Sequence, residues 1–264
     1  MLPGGKYYNS CLYSSLHEPG SYFSYVNLNF GIAGTIIEAV SGERFDQYMN
    51  NHILKELGEG TSNTPTFNAG DIENPSDLGT IFVGSRGQWT PNFDYYSDGV
   101  IPKRNMTGYK VGTNGVVFSP AGGLRASVNH LANYMEMFLR KGKIKTQILS
   151  SSSVLEMFKP RYQYHRSNGP LNDFHLYGLG LYSTTYLKND KVIEHEVAQG
   201  HLGAAYGLIS AYFMWKNYTF SYIINGALNG YKYGTGTIYE QERLIIHESV
   251  DSFVKEIAKK QIVD

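Results

Sequence analysis

At 264 residues the chain can bury a sizeable core, as one large domain or two small ones. Apolar residues make up 42% and charged residues 17%, the balance of a globular rather than a disordered chain. Lysine plus arginine equals aspartate plus glutamate, at 23 each, and no Lys/Arg-rich run interrupts that balance, so general attraction to nucleic acid or anionic membrane is excluded.

The first residues, Met1-Leu2-Pro3-Gly4-Gly5-Lys6, lack a basic segment followed by an apolar stretch and do not read as a secretory signal. No apolar run approaches the ~20 residues that span a bilayer. Cys11 is the one cysteine, so no intramolecular disulfide forms, and it reads as an ordinary thiol. Asn105-Met106-Thr107 and Asn217-Tyr218-Thr219 match the glycosylation pattern, which an Asn-rich chain meets by chance.

Phe30, Ala33, Ile36, Ile37 and Val40 recur at helical spacing and stop at Gly42. Phe45, Tyr48, Met49, Ile53, Leu54 and Leu57 form a second stripe, ended by Gly58. Residues 60–118 are rich in Gly, Asn, Pro, Thr and Tyr, and a long loop of this kind is usually a wall or lid; Tyr95 and Tyr96 in it are candidates for lining a cleft or for ordinary packing. A third helix is expected after a Ser127 cap, with Leu131, Met135, Phe138 and Leu139 on one face up to Gly142. Ser151 to Phe158 reads as a fourth. From 176 the texture changes to strands: Leu176–Tyr186, Val192–Gln199, Tyr206–Trp215 and Thr219–Ala227, with Lys216-Asn217 suited to a tight hairpin. The end, Glu240–Ile262, reads as one helix with Leu244, Val250, Phe253, Val254, Ile257 and Ala258 along its apolar face.

Helices, then antiparallel strands, then a closing helix give an α+β fold: one domain over 1–264, with a mainly helical part at 28–160 and a sheet plus C-terminal helix at 176–264. The closing helix should cover one sheet face, and no other helix is obviously free for the second.

Three stretches carry chemistry. Tyr25-Val26-Asn27 leads directly into Gly31-Ile32-Ala33-Gly34-Thr35-Ile36-Ile37-Glu38-Ala39-Val40-Ser41-Gly42. Ser119-Pro120-Ala121-Gly122-Gly123-Leu124 precedes a helix. Gly200-His201-Leu202-Gly203-Ala204-Ala205 stands at the head of a strand. In this order, from about residue 17 onward, the chain resembles the β-lactamase-related serine hydrolases, which include class C β-lactamases, penicillin-binding proteins, D-alanyl peptidases and esterases. Their signatures are S-x-x-K, a Tyr-x-Asn in the branch resembled here, and K-T-G or His-x-Gly.

The resemblance implies a β-lactamase/transpeptidase-like fold and hydrolysis of a small ester or amide through an acyl-enzyme, without a cofactor. It implies that Tyr25 is the general base, a role a phenol fills only where a cation favours its phenolate. Asn27 would hold the carbonyl side of the substrate, and His201 would donate to the substrate or to Tyr25. Gly203 would let the substrate lie against the strand. The Ala204 N–H would be one oxyanion donor, the serine N–H the other. Histidine in place of lysine implies that β-lactams are not the main substrate, because a largely neutral imidazole does not attract their carboxylate. His195 and His201 are six apart, which is no zinc pattern.

The nucleophile is missing from the pattern. Only 24 residues precede Tyr25, and none of their serines has a lysine three positions on. The literal match Ser252-Phe253-Val254-Lys255 lies in the closing helix, after the other motifs, and reads as helix surface. The expectation is a hydrolase part whose Ser-x-x-Lys segment lies outside these residues and which is inactive alone; the alternative is a binding or scaffold protein that kept the fold. The first expectation also implies an apolar surface left facing water.

Overall fold

The computed structural model describes residues 3–6, 8–14, 16–58, 64–92, 99–170, 176–184, 198–215 and 217–228, together with 249, 252, 253, 255 and 256. Helix α1 spans Asn27–Ser41 and closes on Gly42, whose φ of 74° is the left-handed cap expected of a glycine there. Its packing departs from the sequence expectation in part: Ile37 packs on the core as expected and Phe30 is half-buried, but Ile36 and Val40 face outward. The buried residues are Gly31, Gly34 and Glu38, while Ile32, Ile36 and Val40 are 39%, 56% and 84% exposed.

The reason lies in the glycines. A Cβ on Gly34 would stand 2.6 Å from Pro120, and one on Gly31 2.6 Å from Val116. Opposite them, a Cβ on Gly115 would stand 2.5 Å from Thr35 N and 2.6 Å from the Gly34 carbonyl carbon. At Gly115 two backbones therefore meet with no side chain between them, while the side chains of Val116 and Pro120 press on Gly31 and Gly34. The Gly115 N–H donates to Thr35 Oγ1 at 2.9 Å, and the Thr35 hydroxyl donates to the Gly31 carbonyl at 3.0 Å. Gly115→Ala should cost about 1–3 kcal/mol, because the added methyl must displace backbone. At roughly 2–4 °C per kcal/mol for a chain of this size, a thermal melt resolves the loss, and an unchanged melting temperature would contradict the close contact.

The second helical stripe forms as expected, interrupted once. Helix α2, Phe45–Met49, passes through a π turn at Asn50–Leu54 into α3, Lys55–Leu57. Phe45, Leu54 and Leu57 are buried around Phe118 and Phe67. The segment read as a long loop contains a hairpin, β1 (Ile81–Ser85) and β2 (Gln88–Asn92). Arg86 and Gly87 turn it with φ of 48° and 79°, both positive as a tight hairpin turn requires. Pro91 and the exposed face of β2 hid the strand pattern.

Helix α4, Val128–Leu139, has the expected Ser127 cap, completed as a capping box by His130. Helix α5 is Ser151–Phe158, with the Ser150 hydroxyl accepting from Ser153 N–H. The strands β3 (Tyr162–Gln163), β4 (Leu176–Tyr177), β5 (Tyr182–Thr184), β6 (Ala198–Ala205), β7 (Leu208–Trp215) and β8 (Tyr218–Ile224) form one sheet in that order, every pair antiparallel. A short β9, Gly226–Leu228, leaves this sheet and pairs parallel with β1.

Three sequence boundaries move. The strand expected over 176–186 is a hairpin, folded back at Gly180 (φ 74°), where Gly178 N–H donates to the Leu181 carbonyl. Tyr206 does not begin a strand; Tyr206 and Gly207 (φ 57° and 98°) are the turn between β6 and β7, so His201 and Gly203 lie inside β6 rather than at a strand head. The strand expected over 219–227 breaks at Asn225. Trp215 pairs with Tyr218, so the hairpin between them is tight as expected. Residues 192–197 of another expected strand, and most of the helix expected at Glu240–Ile262, lie outside the described residues. Ser249, Ser252, Phe253, Lys255 and Glu256 are helical, and Phe253 meets Tyr218 edge-on at 5.7 Å.

The second sheet face does have a cover. Alternate residues of β7 point to opposite sides, so Ala211, Phe213 and Trp215 join one cluster with Tyr177 and Tyr182. Tyr212 and Met214 join the other, against Met135 and Phe138 of α4. Tyr134 of α4 meets Tyr212 edge-on at 5.6 Å. A helix that precedes the sheet in the chain thus covers it, a long-range contact that periodicity does not reveal. Each fully buried aromatic here, such as Tyr182 or Phe213, contributes about 2–3 kcal/mol through burial.

Candidate active site

Tyr25 stands just ahead of α1, and Val26 is its extended N-cap. The strand-like lead-in is pinned by the Phe23 N–H donating to the Asn168 carbonyl at 2.7 Å and by the Phe23 ring stacked on Tyr162 at 4.2 Å. That anchor aims the Tyr25 ring at the sheet. Its centroid lies 5.8 Å from that of His201 and 6.2 Å from that of Tyr177. Residues 176 positions apart in the chain therefore share one contact, well inside the separation of ~15 Å beyond which they could not serve one substrate.

His201 is half-covered, within contact of Tyr25, Tyr177 and Tyr182. Its Nδ1 is 2.5 Å from the Leu202 carbonyl oxygen and its Nε2 is 3.4 Å from the Tyr177 hydroxyl. Burial pulls the imidazole below its ordinary value of 6.5, with the Leu202 hydrogen bond opposing. Between the lowered folded value and 6.5, the unfolded chain binds a proton that the folded chain does not. Stability from this residue is therefore complete above pH ~6.5 and declines as the pH falls below it. On going from pH 7.5 to 5 the melting temperature of the native chain should fall further than that of His201→Gln, by a few degrees. Parallel pH dependence of the two proteins would refute the assignment.

The turn geometry fixes the edge of β6. In a two-residue hairpin the flanking pair, Ala205 and Leu208, exchanges both hydrogen bonds, so the next pair inward, Ala204 and Ile209, does not. The N–H of Ala204 and both backbone polar groups of Leu202 consequently point away from β7. On that side β5 pairs only with residues 198–200, so among the described residues no strand covers Leu202 or Ala204. The Leu202 carbonyl on this edge is the one that His201 reaches. Gly203 has a reason of its own: a Cβ there would lie 2.6 Å from Ser210 Oγ on β7. Asn27 is exposed on the first turn of α1, and its position relative to the edge is set by Tyr25 two residues earlier.

Burial raises the Tyr25 phenol. It raises Tyr177 too, and the neighbouring Tyr25 adds to the effect. Both stay protonated near neutrality. Sequence reasoning did not single out Tyr177; among 22 tyrosines nothing marks it except its place ahead of the Gly178-Leu179-Gly180 turn. Ser252 and Lys255 are exposed on their helix, as expected of a helix surface. Ser119 adopts a left-handed φ of 48° in the Pro120 turn against α1. Tyr95, Tyr96 and His195 lie outside the described residues. Among the described residues no three His, Cys, Asp or Glu side chains gather as metal ligands, and no helix is long and apolar enough to cross a membrane.

A family model described as Beta-lactamase matches residues 14–238. The chain belongs to the beta-lactamase family. Its fold is that of the β-lactamase/transpeptidase superfamily of serine hydrolases, and solved structures agree. The octameric penicillin-binding protein homologue of Pyrococcus abyssi superposes with a TM-score of 0.58 at 23% identity, over 80% of this chain and 40% of that one. A D-stereospecific amidohydrolase from Streptomyces sp. gives 0.56 at 18% identity, over 87% of this chain and 55% of that one. The D-amino acid amidase of Ochrobactrum anthropi, complexed with L-phenylalanine amide, gives 0.60 at 15% identity, over 90% and 60%. At these identities the likeness is one of fold. This beta-lactamase-family chain spans about half the length of the structures it matches. No curated protein sequence matches it.

Proposed function

We propose that the chain is the base-bearing part of a serine hydrolase that cleaves a small ester or amide through an acyl-enzyme, with the nucleophilic serine and its lysine supplied by a segment outside these 264 residues. The observation that carries this reading is the contact of Tyr25 with His201 beside the outward-facing N–H of Ala204. In the reaction the serine oxygen would bond to the substrate carbonyl carbon, its proton passing to the Tyr25 phenolate. The phenol would return that proton to the departing amine or alcohol. Water would then repeat the sequence and release the acid. Asn27 would hold the substrate's carbonyl side, and Ala204 N–H would donate to the developing oxyanion. Gly203 leaves that edge low.

Two further observations support a supplied segment. Burial moves the Tyr25 phenol upward, opposite to what a base needs, so its phenolate requires a cation of the kind a Ser-x-x-Lys lysine provides. The exposed Ile32, Ile36 and Val40 give α1 an outer face as apolar as a buried helix surface, and the arriving segment is its natural cover. Amide substrates are favoured by the amidohydrolase and amidase names of two fold neighbours, and β-lactams are disfavoured by the neutral His201.

A fluorophosphonate probe tests this. The 264 residues alone should take up none, and the chain extended upstream by its own coding sequence should be labelled at a serine followed three positions later by lysine. Uptake by the 264 residues alone would overturn the reading and turn attention to Ser119 and Ser252. Failure of the extended chain to react would favour a scaffold that retains the fold.

A further inference from the structure

We propose that Tyr177 is a positioning residue of this site, donating its phenol hydrogen to His201 Nε2 and thereby holding the imidazole neutral, as the Nδ1–H tautomer, against Tyr25. The role in a site rests on the hydrolase reading; the hydrogen bond itself does not. The assignment follows from what each atom can do. A carbonyl oxygen only accepts, so the 2.5 Å contact with Leu202 requires the hydrogen on Nδ1. A neutral imidazole has one N–H, so Nε2 then presents a lone pair. The group 3.4 Å from it is the Tyr177 hydroxyl, a donor that burial keeps protonated. Burial opposes the other arrangement, an imidazolium donating through both nitrogens; the groups seen to face His201 include the phenols of Tyr25, Tyr177 and Tyr182, with Tyr212 its pairing partner on β7.

Three features make the arrangement a built one. Tyr177 is buried on β4, Phe23 packs on its ring at 5.3 Å, and the β4–β5 turn sets its place in the sheet. The Leu202 carbonyl is turned outward by the hairpin register, which gives Nδ1 its acceptor. Tyr25, Tyr177 and His201 then touch pairwise, with centroids 5.8–6.2 Å apart. With both imidazole nitrogens engaged, His201 acts as a neutral wall that fixes Tyr25. It contributes an Nε2–H to a bound substrate only after a change of tautomer, which breaks the bonds with both Tyr177 and Leu202. Tyr177 thus controls which of two functions the histidine performs.

Nitrogen-15 NMR of histidine-labelled protein reads the tautomer directly and needs no activity. The native chain at pH 7.5 should show His201 mainly as Nδ1–H, with Nε2 shifted as a hydrogen-bond acceptor. Tyr177→Phe keeps the ring and removes the hydroxyl. The Nδ1–H to Nε2–H ratio should then fall by roughly fivefold, the ratio that a typical net hydrogen bond controls. A melting curve of the same sample shows whether the variant is folded. Predominant Nε2–H in the native chain would overturn the proposal whatever the variant does, as would an unchanged ratio in a folded Tyr177→Phe. Because no turnover enters the measurement, failure of the probe experiment above leaves this result standing, and successful labelling does not rescue it.

Discussion

Replacing Glu38 with alanine should remove about 3–5 kcal/mol of stability. Glu38 is fully buried in α1, and every contact of its carboxylate is a hydrogen bond received. Tyr109 Oη donates to it at 2.7–2.8 Å, the Gly112 N–H at 2.9 Å and the Phe45 N–H at 2.9 Å. One side chain therefore joins α1, the first turn of α2 and the loop at 109–112. The Phe45 N–H is among those a helix start leaves without an internal partner, so Glu38 also serves as a cap supplied from another helix. Alanine leaves the buried Phe45 donor and the half-buried Tyr109 and Gly112 donors without this acceptor and opens a cavity, losses that together come to about 3–5 kcal/mol. The total stability of a folded domain is about 5–15 kcal/mol, so roughly a fifth or more is at stake. Glu38→Gln keeps the shape and one acceptor oxygen but turns an N–H₂ toward donors, and should cost about half as much. Urea unfolding of the two variants measures both; a loss below about 1 kcal/mol for alanine would show that the carboxylate does not hold these segments.

Tyr25→Phe should reduce probe uptake by the extended, nucleophile-bearing protein roughly a hundredfold or more, the usual consequence of losing a general base. Phenylalanine keeps the ring packed against His201, Tyr177 and Phe30, so the melting temperature should barely move. That pairing of a large kinetic loss with a small thermal one separates chemistry from packing. Rate measurements on a simple ester alongside the melt provide it. Comparable rates for the two proteins would remove Tyr25 from the reaction and leave it an aromatic wall residue.

The motifs of the candidate site were legible in the sequence because they are local. Tyr25-Val26-Asn27 before a glycine-capped helix, and His201 with Gly203 in a strand, are patterns of spacing, and the fold brings Tyr25 and His201 into contact. What periodicity misread was the orientation of α1. Apolar spacing put Ile36 and Val40 inward, whereas Gly31, Gly34 and Glu38 are the buried residues, because a helix approached by bare backbone buries its smallest positions. The hairpin at 81–92 was illegible for a related reason: its second strand is exposed and contains a proline, so no alternation marks it. Tyr177 was invisible because its significance is a distance to His201, and distances across a sheet are not written in the order of the chain.

The bare contact between α1 and the turn at Gly115 has a mechanical consequence. Side chains between packed elements act as a compliant layer, changing rotamer to absorb small displacements. At Gly115 backbone rests on backbone, so there that layer is missing and little is left to absorb a shift of one element against the other. The turn that carries Ser119 and Pro120 and the helix that begins two residues after Tyr25 are thus expected to shift together, like a lever whose far end lies near the phenol.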